Sequence, residues 1–511
     1  TFGPHAGRPP PAPHRPRMKT RGLLVLSLTL LTLLRWMWLA PQELPPSGAY
    51  LALCGHSPSV AYFDGPGAAA VCVALGTRWA GATALGAALL WPVFAALATL
   101  ALYHLVAPLT GRQGAAVAAV LLNLLPAFNA AALHPTCAMP VTMFALGFAA
   151  CAWRALDTAA IGWWLGAGMC AAGGLLFGYL ASFFLPALAL VMIASHRWRP
   201  QFLEPGFWLA ALLPLAALVW LIAWNAEHGW VHFIGGTWQT ATTLDLRRAP
   251  QALYTAALGA SPFVLPALAV GLWFALREMR RARLGKFLAV PALFAFLIAT
   301  YLALQGSPAE AAGLVAAALV IPLVVRLPLP QPVLVAVLLG AALWTAGGLA
   351  LRQTTPQMVT TEVVREIEAL RSAQTADSVA PVFLVARDAA LASALALHLP
   401  DTSFVPAGHP PVYVVESPYA DSQFALWPRY DQFVEAAEPV AEEAQDPFTE
   451  QDGTNPFLWR SALYITPQKP DNLPQAITAA FARHRLLAEI TTPAGEILQV
   501  YLCSEYETLP L

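Results

Sequence analysis

The chain has 511 residues, of which 58% are hydrophobic and 11% charged, with a formal net charge of −1 and a mean hydropathy of +0.58. A water-soluble protein of this length carries roughly twice that charged fraction, so a soluble globular fold is excluded. Repeated apolar runs near twenty residues read instead as a multi-pass helical membrane protein.

Residues 1–17 are rich in Pro, His and Arg and have no apolar period. Met18-Lys19-Thr20-Arg21 reads as a natural start, so 1–17 is expected to be a non-native or disordered extension. The first span runs from Gly22 to Ala40. A polar loop follows, with Ser47-Gly48-Ala49-Tyr50 and then Tyr62-Phe63-Asp64-Gly65-Pro66. Ala68 to Thr77 is too short to cross a bilayer and is expected to lie in the interface, inside a first outward loop of 41–79. Ten further spans are predicted at 80–107, 114–133, 138–156, 161–178, 180–195, 206–224, 252–276, 287–304, 309–326 and 333–351.

Positive charges orient the spans. With the N-terminus inside, the cytoplasmic connections hold Arg112, Arg154, His196 to Arg199, Arg277 to Lys286 and Arg326. The opposite side then receives the first loop, the His134-Pro135-Thr136-Cys137 turn, the Asn225 to Pro250 loop, Gln305 to Glu310, and the tail. The expected organisation is a transmembrane domain over 18–352 and an extracytoplasmic α/β domain over 353–511. That tail carries about twenty acidic residues against about eight basic ones. In it a helix is expected near Glu362 to Arg371, strands at Val382 to Ala386, Val412 to Val415 and Ala462 to Thr466, and helices at Ala389 to Leu399 and Pro474 to Arg485. An acidic loop spans Glu435 to Asp452, and Leu487 to Thr492 with Ile497 to Leu502 reads as a closing hairpin. The tail has no phosphate-binding glycine loop and no nucleophile elbow, which leaves it a binding or covering module.

No basic stripe points to nucleic acid. The six cysteines form no CxxC pair and indicate neither a zinc site nor a disulfide framework. Transfer chemistry at a membrane surface needs a carboxylate to take a proton, cationic or metal groups to hold a leaving phosphate, and an apolar groove for a lipid tail. Candidate acids in the outward loops are Glu43, Asp64, Glu227, Asp245 and Glu310. Candidate phosphate partners are Arg78, His228, His232, Arg247 and Arg248. Each also has a plainer reading. Asp64 before Gly65-Pro66 is an ordinary turn residue, Arg247-Arg248 can meet lipid headgroups, and His228 beside Trp230 fits an aromatic belt. Arg35-Trp36-Met37-Trp38 reads as snorkelling and interfacial anchoring. No cofactor is called for by any motif, and a divalent cation beside the phosphate remains open.

The order of these features resembles the bacterial branch of the GT-C membrane glycosyltransferases: family 39, protein mannosyltransferase-like proteins related to the aminoarabinose transferase of lipid A. Where that branch has Asp-Glu-Ala-Tyr-Tyr, this chain has Ser47-Gly48-Ala49-Tyr50-Leu51. For Gly-Tyr-Phe-Asp-His-Pro-Pro it has Ala61-Tyr62-Phe63-Asp64-Gly65-Pro66-Gly67. Pro135-Thr136-Cys137 stands for Thr-Pro-Asp and Leu176-Phe177-Gly178-Tyr179 for Leu-Ser-Lys-Tyr. The segment Trp224-Asn225-Ala226-Glu227-His228-Gly229-Trp230-Val231-His232-Phe233 is nearly intact, and Ser422-Gln423-Phe424-Ala425-Leu426-Trp427 is similar to a tail segment. The resemblance implies a polyprenyl-phosphate sugar donor, a lipid, glycan or protein acceptor, and a multi-pass bacterial inner-membrane protein.

The departures fall on the chemistry. The catalytic Asp of that branch falls on Ser47, its neighbouring Glu on Gly48, its second-loop Asp on Cys137 and its Lys on Gly178. Of the motif carboxylates Asp64 alone survives. The expected catalytic groups are therefore Asp64, then Glu227, with His228, Arg247 and Arg248 on the donor phosphate. Two alternatives stand beside this reading: a degenerate homologue that binds lipid-linked sugar or scaffolds a partner, and a transporter. Few midplane charges and no visible inverted repeat argue against the transporter.

Overall fold

The structure, a computed structural model, describes residues 18–42, 44–234, 245–278, 283–305, 309–327, 330–352, 359–376, 378, 380–399, 405–406, 408–417, 420–432, 455–467 and 473–507. The 1–17 extension, Glu43 and the acidic Glu435 to Asp452 loop lie outside the described residues. The helices in order are α1 (Met18–Leu39), α2 (Pro46–His56), α3 (Ala68–Ala80), α4 (Ala84–Ala87), α5 (Trp91–Asn123), α6 (Pro126–Leu133), α7 (Ala138–Thr158), α8 (Ile161–Phe177), α9 (Phe184–Ile193), α10 (Pro205–Glu227), α11 (Val231–Ile234), α12 (Ala249–Ala260), α13 (Leu265–Glu278), α14 (Arg283–Gln305), α15 (Glu310–Val324) and α16 (Gln331–Arg352). Pro46, Pro126 and Pro205 open α2, α6 and α10. A proline's missing N–H costs nothing there and its fixed φ suits the first turn.

Among the described residues six helices are long and apolar enough to cross a bilayer. The number becomes seven if the pair Leu246–Ala260 and Leu265–Phe274, bent by 99°, counts as one broken span. Eleven spans were expected, and the difference has local causes. The expected span 252–276 breaks at Ser261, whose φ is 67°. The expected 114–133 is split between the end of α5 and the short α6. Helix α8 has 17 residues, and at about 1.5 Å per residue it reaches just short of the ~30 Å hydrocarbon core. Within α5 the helix breaks at Gly111, with φ 76°, a backbone that glycine adopts without steric cost. Helix α3, with 13 residues, is as short as expected. It crosses α2 so closely that a Cβ on Gly55 would lie 2.4 Å from the Ala70 carbonyl oxygen.

The C-terminal part forms a mixed sheet. A short hairpin in the first loop supplies β1 (Ala61–Tyr62) and β2 (Gly65–Pro66). After α17 (Thr361–Ala376) come β3 (Phe383–Ala386), α18 (Ala389–His398), β4 (Tyr413–Val414), β5 (Ala462–Thr466), β6 (Phe481–Thr491) and β7 (Ile497–Tyr506). The five strands lie in the order β4-β3-β5-β7-β6. Strands β4, β3 and β5 are parallel, and β7 is antiparallel to both β5 and β6. The side chain of Asp388 caps α18 by accepting the Leu391 N–H at 2.9 Å. The helix expected over Pro474 to Arg485 is a correction. Only Gln475–Thr478 is helical, and Phe481 onward joins the hairpin. Pairing with β7 as far as Phe481↔Tyr506 supplies backbone bonds that outweigh local helix preference, and Arg483, His484 and Arg485 on β6 protect that edge.

One face of the sheet buries Leu384, Leu463 and Val500 against Val364, Ile367 and Leu395 of α17 and α18. Tyr50 and Leu53 of α2 pack against this same core. The other face is aromatic, with Phe383, Tyr413, Tyr430, Phe457 and Tyr506 fully buried. The tail thus shares a hydrophobic core with the first loop of the membrane part, which fixes what lies between them.

Candidate active site

The crevice is built around the two-residue turn Phe63-Asp64. Its flanks pair as Tyr62↔Gly65 and Ala61↔Pro66. The Tyr62 hydroxyl donates to the Ser57 carbonyl at 3.0 Å and accepts the Ser59 N–H at 3.1 Å, tying the hairpin to the end of α2. Asp64 at the tip reaches solvent and accepts a short hydrogen bond from the Tyr50 hydroxyl on Oδ2. That hydroxyl in turn accepts the Gln423 backbone N–H at 3.0 Å. The Gln423 Oε1 accepts the Phe63 N–H at 2.8 Å. Partial burial of the carboxyl on its protein side pushes it above the ordinary carboxylate range. The Tyr50 bond and the His232 side pull it back, and the charge of Asp421 pushes it further up. Burial, and then the Asp64 charge, drive the Tyr50 phenol well above its usual value and the Cys54 thiol up to about 12. Tyr50 therefore stays a proton donor, and Asp64 is a stronger base than a surface carboxylate.

Beneath the turn lies His232. The segment after α10 doubles back through Gly229 and Trp230, with φ of 65° and 58°. The Trp230 N–H donates to the Asn225 carbonyl at 2.7 Å, and the His232 N–H donates to Asn225 Oδ1 at 3.2 Å. This brings His232 back over Trp224, whose ring stacks on His228 at 4.0 Å and on His232 at 5.1 Å. The imidazole is 3% exposed and both its nitrogens are engaged. Nε2 lies 2.5 Å from the Tyr62 carbonyl, which can only accept, so Nε2 carries the proton. Nδ1 then accepts from the Tyr179 hydroxyl at 2.5 Å and from Asn225 Nδ2 at 3.0 Å. Desolvation holds this imidazole below its ordinary pKa, consistent with the neutral tautomer. His232 was a candidate phosphate partner. With no nitrogen left to offer, it is instead the internal brace of the Asp64 hairpin.

The four departures come together in space. A Cβ on Gly48 would lie 3.3 Å from Pro135 Cγ, and one on Gly178 would lie 3.8 Å from Cys137 Cβ. Ser47 sits exposed in the first turn of α2, one turn before Tyr50. The four positions that carry charge in the related branch thus adjoin here without charged side chains of their own, with the Glu310 carboxylate near Cys137. Cys137 reaches solvent, yet surrounding atoms desolvate the thiol and push it up, and the Glu310 carboxylate adds to this.

The remaining candidates do not converge on Asp64. Glu227 is exposed at the C-terminus of α10. His228 donates Nδ1–H to the Trp224 carbonyl at 2.8 Å, so its Nε2 donates to a phosphate only as imidazolium. Arg247 and Arg248 occupy a 3-10 turn capped by Asp245. The Asp245 N–H donates to the Leu304 carbonyl on α14 at 3.3 Å, and no described contact joins this turn to the crevice. Arg78 is exposed near the end of α3. Among the described residues no three His, Cys, Asp or Glu side chains gather to hold a metal ion. Reading the sequence did not single out Tyr50, Tyr179, Asn225 or Gln423 as functional, although all four lie in the segments that carried the resemblance.

An apolar pocket lies among α7, α9, α14 and α15, lined by Phe148, Phe184, Phe287, Phe294 and Leu319. The turn that places Tyr179 against His232 also sends Leu180 and Phe183 into the pocket wall, so pocket and crevice are one turn apart.

Residues 64–224 match the family model described as dolichyl-phosphate-mannose-protein mannosyltransferase. No curated protein matches the chain. The structure is similar to that of ArnT from Cupriavidus metallidurans in the apo state, with 15% identity, a TM-score of 0.62, and coverage of 94% of this chain and 98% of that one. The same protein bound to undecaprenyl phosphate gives a TM-score of 0.60 with the same identity and coverage. These likenesses show that the chain has the fold of that protein, and the family model matches within it over residues 64–224.

Proposed function

We propose that the chain transfers a sugar from a polyprenyl-phosphate donor to an acceptor hydroxyl on the extracytoplasmic face of a bacterial inner membrane. The observation that carries this reading is the Asp64 carboxylate, held by Tyr50 between the first loop and the tail and raised in basicity by desolvation. In the reaction the acceptor oxygen attacks the anomeric carbon, and its proton passes to the Asp64 carboxylate. The bond from that carbon to the phosphate oxygen breaks, and polyprenyl phosphate leaves. His228, stacked on the Trp224 ring that also meets His232, is assigned to the leaving phosphate, and the apolar pocket to the prenyl chain. Likeness in fold to a protein bound to undecaprenyl phosphate supports the donor class, and supports a transferase over a transporter. The asymmetric placement of Arg and Lys in the connections supports the outward site, with 353–511 as the extracytoplasmic domain.

A second reading rests on those four uncharged positions. Coordinated loss of charge at Ser47, Gly48, Cys137 and Gly178, which adjoin in pairs, favours a homologue that binds lipid-linked sugar without turning it over. Reconstituted protein, offered undecaprenyl-phosphate-linked hexoses and glycan or peptide acceptors, separates the two. On the catalytic reading undecaprenyl phosphate is released, Asp64→Asn lowers the rate by about 10²–10⁴-fold, and Ser47→Ala changes it little. Donor binding without release in the wild type identifies the binding homologue.

A further inference from the structure

The bonds around Asp64 converge on one residue that belongs to the tail. Gln423 is 7% exposed and stands in a 3-10 turn, Gln423–Ala425. Its side-chain oxygen takes the N–H of Phe63, the residue before Asp64, and its own N–H is given to the phenol that donates to Asp64. The two contacts span 360 and 373 positions of sequence. Around them Trp427 packs on Cys54, Tyr62 and Ala70, and Phe424 lies 6.4 Å from the Tyr50 ring. The tail therefore closes the crevice at a fixed place rather than merely lying over it.

We propose that Gln423 is a positioning residue, through which the C-terminal sheet domain sets the orientation of Asp64 and thereby completes the site. This rests on the reading of Asp64 as the base. Without Oε1 the Phe63 N–H loses its partner, the two-residue turn loosens, and the carboxylate no longer meets the Tyr50 hydroxyl in one geometry. A carboxylate at 423 can still accept the Phe63 N–H, so Gln423→Glu preserves the turn while adding a charge. The groups facing Asp64 are Tyr50 and Cys54 from α2, His232 from the segment after α10, and Asp421 from the tail. A second acidic side chain beside Asp421 makes ionisation of Asp64 harder.

The test uses the full-length protein in detergent. Hydrogen exchange at the Phe63 amide is measured in wild type, Gln423→Ala and Gln423→Glu. Coupling of glycine ethyl ester to Asp64 by a carbodiimide is followed against pH by mass spectrometry. Exchange at Phe63 is expected to rise about fivefold in Gln423→Ala, the loss of roughly one hydrogen bond, and to stay near wild type in Gln423→Glu. The labelling midpoint of Asp64 is expected to move to higher pH in Gln423→Glu. Equal protection of Phe63 in wild type and Gln423→Ala overturns the proposal, as does equal deprotection in both variants. Absence of hexose transfer in the wild type overturns the catalytic reading and leaves the exchange result to decide the positioning. Unchanged turnover and pH profile in Gln423→Ala, in a wild type that transfers, refutes the positioning alone.

Discussion

Replacing His232 with Gln separates its two hydrogen-bonding ends. A glutamine amide can reach the Tyr62 carbonyl as Nε2–H does, but it places no acceptor where Nδ1 takes the Tyr179 hydroxyl and the Asn225 amide. Two bonds are lost, at about 1 kcal/mol net each. Asn225, 1% exposed, keeps the Leu221 carbonyl at 2.9 Å and the Tyr179 hydroxyl at 3.4 Å as acceptors for its amide. The expected destabilisation near pH 7.5 is about 2 kcal/mol, read as a fall in the thermal midpoint of the solubilised protein. The substitution also has a pH signature. His232 has a lowered pKa in the folded chain, so on acidification the unfolded chain binds the proton first. Stability from the neutral ring is whole above the unfolded value of about 6.5 and drains away as the pH falls towards the lowered folded value, by at most about 1.36 kcal/mol per pH unit. Wild type should therefore lose stability more steeply than His232→Gln between about pH 6.5 and 5. Parallel acid limbs in the two proteins, or equal midpoints at pH 7.5, would refute the brace role and the tautomer on which it rests.

Other perturbations address the rest of the site. Alanine at His228 should weaken binding of a polyprenyl-phosphate analogue several-fold or more, measured by titration, since charge-assisted bonds are strong. Unchanged affinity in the folded variant removes this residue from the donor site. Ser47→Asp with Gly48→Glu restores two carboxylates to these positions. A Cβ at 48 meets Leu44 Cδ1 at 3.0 Å and Pro135 Cγ at 3.3 Å, so the thermal midpoint of the variant is read beside its turnover. Turnover that appears only in this double variant identifies the wild type as a binder that lost its base. A C-terminal alkaline phosphatase fusion should be active and a cytoplasmic fluorescent reporter dark. The reverse pattern eliminates the outward-facing site.

Hydropathy alone was sufficient for the membrane class, because a run of apolar residues near bilayer length is stable in few other places. Alternation in the tail was sufficient for β3, α18 and β5, whose bounds fall within a residue or so of those expected. The hairpin turn at Asp64 was legible for the same local reason, since Gly65-Pro66 follow it directly. Span number was not legible. Helix breaks at Gly111 and Ser261 depend on backbone angles that a hydropathy window averages away. The end of β6 was misread as helix, since strand pairing with Tyr506 is a non-local bond that residues 474–485 do not encode by themselves. Tertiary structure alone decided the roles of His232 and Gln423. A histidine in an outward loop is a ligand or a brace according to what its two nitrogens meet, here Tyr62 and Tyr179, 170 and 53 positions away. Gln423 meets Phe63 only because α18 and α2 share one core, and that packing brings together groups that no spacing along the chain relates.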